Sequence, residues 1–155
     1  MIILYYLNIQ LINQKRENMA AENTKIYMIV DTKGIQPGRV DDYVEFKDNR
    51  KNPTPKPDPV NFTSEIDAGE KVFWFGEAKD EASDTIEITG VTKKSSKDPD
   101  LIKDIGKDKS HPGVFKAQVV ENYIKGSEGY SITFRIKGHK AEYEVDPKLE
   151  MVHPQ

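Results

Sequence analysis

Hydrophobic positions along this chain recur every second residue in short runs, and no apolar stripe of helical period reaches convincing length. The clearest run is 130–137. Tyr130, Ile132, Phe134 and Ile136 fall on one side of an extended strand, and Ser131, Thr133, Arg135 and Lys137 on the other. Residues 25–31 form a second strand with apolar groups on both sides. Ile26, Met28 and Val30 share one face, Tyr27 and Ile29 the other, which predicts a central position. Shorter runs follow at 42–46, 60–66, 71–76, 85–91, 114–120, 141–145 and 148–152, separated by Gly, Pro, Asp and Asn. The pattern predicts an all-β fold: an antiparallel two-sheet β-sandwich, Ig-like or jelly-roll-like, of about nine strands.

Two runs carry the expected core. Residues 60–66 lead through the turn Asp67-Ala68-Gly69-Glu70 into 71–76, predicting a hairpin rich in aromatics. Val72 and Trp74 point one way, Phe73 and Phe75 the other. Trp74 reads more readily as core than as a sugar-stacking platform, because its strand is unusually apolar. Tyr27, Tyr43, Tyr123, Tyr130 and Tyr143 leave the same choice open.

Two stretches break the pattern. Pro53, Pro55, Pro57 and Pro59 alternate; they lack the backbone N–H and fix φ, so the segment is extended and polyproline-like. A stiff loop or a guard along a sheet edge is a simpler reading than a recognition ligand. Residues 93–113 are polar and weakly patterned and predict a long loop. A helical turn or two is expected near 98–106, with Pro99 after an Asp98 cap and Gly106 at the end.

The N-terminal stretch stands apart. Residues 1–11 are apolar but interrupted by Asn8 and Gln10, and Lys15 and Arg16 follow the apolar run instead of preceding it, against the order of a signal peptide. Residues 15–18 back-translate to a purine-rich stretch before Met19, as a ribosome-binding site translated in error would. The preferred reading is therefore an N-terminal extension over 1–24, with a native start at Met19, and one domain over 25–155. A signal or anchor and a genuine amphipathic segment are the alternatives.

Composition narrows function mainly by exclusion. The 155 residues carry 23 Lys and Arg against 26 Asp and Glu, a net charge of -3, so the basic excess of a general nucleic-acid binder is missing. The chain has no Cys, which removes disulfides, thiolate catalysis and Cys-based metal sites. That usage agrees with a cytoplasmic protein. No apolar run approaches the roughly 20 residues needed to span a bilayer, so no membrane partner is expected.

Candidate chemistry is sparse. His111, His139 and His153 each adjoin Pro or Gly and lack metal-binding spacing, so solvated turn histidines are expected. There is no nucleophile elbow and no phosphate-cradling loop. No enzyme activity and no cofactor are expected. Among the acidic clusters, Asp80, Glu81 and Asp84 are the first place to look for a ligand or calcium, since calcium needs several oxygens converging on one point.

The order of segments resembles the bacterial AidA/PixA family of inclusion-body-type proteins. The matching residues are Ile29-Val30-Asp31-Thr32, Ala68 to Trp74, Ser83-Asp84-Thr85-Ile86, Phe115-Lys116-Ala117, Gly129 to Phe134 and Asp146-Pro147-Lys148-Leu149. The chain departs from that pattern at Val145, where the family usually has an aromatic, and in the Pro-rich segment. The resemblance implies a β-sandwich without established enzymatic activity that accumulates or self-associates. The expected function is thus non-catalytic, through protein–protein contact or a homo-oligomer. An edge strand at 42–46 or 148–152 would pair with a neighbour. The rival expectation is a small-ligand or carbohydrate binder, calcium-assisted, using loops 76–84 and 93–113.

Overall fold

A computed structural model describes residues 2–8, 20–80 and 83–154. The proposed start at Met19 and the basic pair Lys15-Arg16 lie outside the described residues. Residues 2–8 are helical, and their apolar side chains are exposed.

Ten strands are present among the described residues: β1 (Thr24–Val30), β2 (Val44–Asp48), β3 (Thr63–Ile66), β4 (Lys71–Ala78), β5 (Ile86–Lys93), β6 (Ile102–Lys107), β7 (Phe115–Val119), β8 (Ser127–Ile136), β9 (Tyr143–Val145) and β10 (Lys148–Met151). They form two sheets. The first runs β2-β1-β4-β7-β6; the second runs β3-β10-β8-β5, with β9 also pairing to β8. Short 3₁₀ segments at Pro37–Tyr43 and Pro59–Asn61 fill two connections.

The expected all-antiparallel arrangement is corrected: both sheets are mixed. β1 runs parallel to β4, with Tyr27 opposite Phe75, and β10 runs parallel to β3. The hairpin expected from 60–76 is corrected as well, because β3 and β4 belong to different sheets. The Asp67–Glu70 turn is a corner between them, closed by the Glu70 N–H on the Asp67 carbonyl at 3.1 Å. Gly69 takes φ +76° there, a conformation open to glycine.

Period-two alternation builds the core where it was expected. Ile26, Met28, Val30, Val72, Trp74, Tyr130, Ile132, Phe134 and Ile136 are buried in a single cluster drawn from both sheets. At the corner, Arg50 is held by Glu22 at 3.0 Å and by Asp67 at 3.1 Å. Beside it, buried Asp48 accepts from the Arg50 N–H (2.8 Å), the Asn52 N–H (2.9 Å) and the Ser64 hydroxyl (2.8 Å). Those bonds satisfy a carboxylate that would otherwise be costly to bury.

Candidate interaction surface

Of the acidic group singled out in the sequence, Asp80 and Asp84 are among the described residues. Asp84 accepts a 2.6 Å hydrogen bond from the Thr32 hydroxyl and so ties the approach to β5 to the end of β1. Asp80 is exposed just beyond β4, and Glu81 lies outside the described residues. Among the described residues no group of three or more His, Asp or Glu side chains is arranged to hold a metal ion.

The polar stretch 93–113 is not one loop, which corrects both the expected loop and the helical turns within it. Residues 102–107 form β6, paired to β7 at the sheet edge. The segment before it is fastened down by carboxylates. Glu128 Oε1 accepts from the Leu101 N–H at 3.1 Å, and Asp98 accepts from the Gly129 N–H at 3.0 Å. Glu128 is 1% exposed; its Oε2 has no hydrogen bond and sits 3.7 Å from Lys93 Nζ. Lys93 in turn bonds Asp100 at 2.6 Å. Burial raises the Glu128 pKa above the ordinary glutamate value, against the lowering effect of the Leu101 N–H and Lys93. This cluster anchors a strap across β8.

Turning to the outer face of the first sheet, alternation leaves a second set of apolar side chains there. Tyr27 and Phe75 stack with ring centroids 5.0 Å apart and planes 17° from parallel. The Lys47 ammonium lies 5.4 Å from the Tyr27 ring centroid, within cation–π range. Phe73 sits two residues along β4 on the same face. Tyr27, Phe73 and Phe75 are all partly exposed, though they occupy the middle of the sheet. Strand register sorts the surrounding charges. The Phe73 row is flanked by Lys25 on β1 and Lys116 on β7. The Ile29 row, at the other end of the patch, is flanked by Glu45 on β2 and Glu77 on β4. Lys79 pairs with Glu45 at 3.0 Å, and that bond raises the lysine pKa. One end of the patch is therefore basic and the other acidic.

The sequence marked these residues by apolar positions on both sides of 25–31 and 71–76. Apolar positions on both sides of 25–31 predict a central strand, and β1 does lie inside its sheet, between β2 and β4. One face of the sheet lies in the core; on the other Ile29 is buried, while Tyr27, Phe73 and Phe75 stay partly exposed with no layer over them among the described residues.

The sheet edges are less available. β2 is at an edge, as expected, but Phe46 exchanges backbone hydrogen bonds of 3.0 and 2.8 Å with Lys56 of the Pro-rich segment. That segment guards the edge. β10, the other strand expected to pair with a neighbour, lies inside its sheet between β3 and β8. The Glu65 and Thr63 carbonyls of β3 accept from the Thr24 hydroxyl and the Asn52 amide. β5 and β6 each carry a register shift, and at β6 Asp104 takes φ 55°. Such irregularities blunt an edge against strand addition.

No family model matches the chain, and no curated protein matches it. Among solved structures the chain is similar to an inclusion body protein, PixA, from Burkholderia cenocepacia J2315. The two share 13% identity with a TM-score of 0.56, over 87% of this chain and 98% of that one. At that identity the likeness is one of fold. The resemblance expected from sequence is met at that level. No helix among the described residues is long and apolar enough to cross a membrane.

Proposed function

We propose that this chain is a non-catalytic β-sandwich protein that works through contact with protein, its own copies included. The observation that carries the reading is the partly exposed Tyr27–Phe75 stack, with Phe73 beside it, in the middle of an uncovered sheet face. Aromatics so placed are costly to leave in water and are the residue types that anchor protein interfaces. The fold likeness to an inclusion body protein supports the same reading. The fastened strap and guarded edges direct contact to this face, away from strand exchange.

Carbohydrate binding through the loops is the weaker reading, because residues 102–107 are a strand. Size-exclusion chromatography with light scattering tests the proposal. A mass rising with concentration is expected, or a complex with a protein partner. A strict monomer at high concentration that captures no protein and binds glycans on an array would contradict it.

A further inference from the structure

We infer that two copies of this chain meet face to face through the β2-β1-β4-β7-β6 sheet, about a two-fold axis that lies in the interface at the level of Tyr27 and Phe75. The inference rests on the self-contact reading above and adds the surface and its register.

Charge and symmetry together select this arrangement. Along β1 and β4, which run in the same direction, the outer face passes from a basic end through an aromatic middle to an acidic end. A two-fold axis across the strands turns one copy end for end over the other. The basic end of each then lies on the acidic end of its partner, and one patch is complementary to itself, as an isologous contact requires. Lys25 of one copy falls over the Ile29 row of the other, beside Glu77. At the basic end Lys116 lies 3.8 Å from Asp108, and at the acidic end Glu45 is held by Lys79. Lys25 and Glu77 are exposed, and neither side chain takes part in an ion pair among the described residues. Lys71 on β4 and Lys103 on β6, both exposed, add to the basic end, and Lys25 and Glu77 are the charges that the two-fold brings together. The aromatic stack comes to the centre, where interfaces concentrate their binding energy. Lys47 stays at the rim over Tyr27, and the roughly 30° offset between packed sheets swings the two Lys47 side chains apart.

Size bounds the strength. Five strands about 4.8 Å apart, of five to eight residues rising about 3.3 Å each, make a face of roughly 20 Å by 20 Å. That lies at the small end of specific interfaces, so an affinity in the micromolar range is expected.

Sedimentation velocity on the full chain tests the register through a charge swap. Lys25→Glu and Glu77→Lys are each expected to weaken association about tenfold, because each places two like-charge pairs in a two-fold contact. The double variant restores the opposite charges and is expected to recover the parent affinity. Both positions are exposed, so folding is not at stake, and the apolar segment at 2–8 has no means of tracking the swap. Association unchanged by either reversal, or single losses without recovery in the double, would overturn this face while leaving self-contact standing. Absence of association in the parent at any concentration would overturn both.

Discussion

Trp74 Nε1 donates a 3.0 Å hydrogen bond to the Tyr130 hydroxyl, joining β4 of one sheet to β8 of the other at the centre of the core. The rings lie 5.5 Å apart at 60°, both buried. This polar contact bridges the two sheets inside an otherwise apolar cluster, and burial drives the Tyr130 pKa strongly upward. Tyr130→Phe leaves the indole N–H without its partner and is predicted to cost about 1–3 kcal/mol in urea unfolding. In a double-mutant cycle with Trp74→Phe the two losses should be less than additive.

Asp48 holds the corner where the Pro-rich guard begins. It accepts from two backbone N–H groups, the Ser64 hydroxyl and the Asn52 side chain at 3.1 Å. Asp48→Ala strands those donors and is predicted to cost about 3 kcal/mol. Hydrogen exchange should rise at Lys56 and Phe46 before it rises at Trp74, as the guard loosens from β2 first.

Glu128 makes stability depend on pH in a direction opposite to most carboxylates. Its pKa in the fold is raised, chiefly by burial, so folding favours the protonated acid. Its stabilising contribution is present below the ordinary glutamate value and is lost as pH rises through the folded value. Glu128→Gln keeps an acceptor for the Leu101 N–H without the charge. Relative to the parent, the variant should gain melting temperature as pH goes from about 4 to about 8. A difference independent of pH would contradict the assignment.

Asp108 behaves in the opposite sense. The 2.9 Å contact with His111 Nδ1, then the Ser110 N–H, lower its pKa. Its contribution is present above the ordinary aspartate value and fades as pH falls through the folded one. His111→Ala is predicted to raise the Asp108 pKa in a carboxyl NMR titration, with little change in global stability because the histidine is largely exposed.

Much of this architecture was readable from alternation. In β1, β4 and β8 the residues are sorted onto two faces as expected, because two-residue spacing of Ile, Val and aromatics has one physical outcome in a sheet. β6 was not readable: Lys103 and Asp104 are exposed and a bulge interrupts the register, so the strand looks polar. Parallel pairing of β1 with β4 and of β3 with β10 was hidden too, since alternation specifies a face and says nothing of the neighbour. For the same reason the 67–70 turn read as a hairpin when it is a corner. The candidate interaction surface was half legible. Tyr27, Phe73 and Phe75 stand out as apolar on the second face, but only the topology shows that no layer covers them among the described residues. The acidic positions 80, 81 and 84 drew notice through composition alone, and Asp84 proves to be bonded to Thr32.

The central claim is that this protein meets another molecule through the outer face of its first sheet. Concentration-dependent NMR of the full chain tests it most directly. Resonances of Tyr27, Phe73 and Phe75 are predicted to shift and broaden together with rising concentration, while those of Trp74 and Tyr130 stay fixed. Shifts confined to other surfaces, with the Tyr27–Phe75 pair unmoved, would contradict the account.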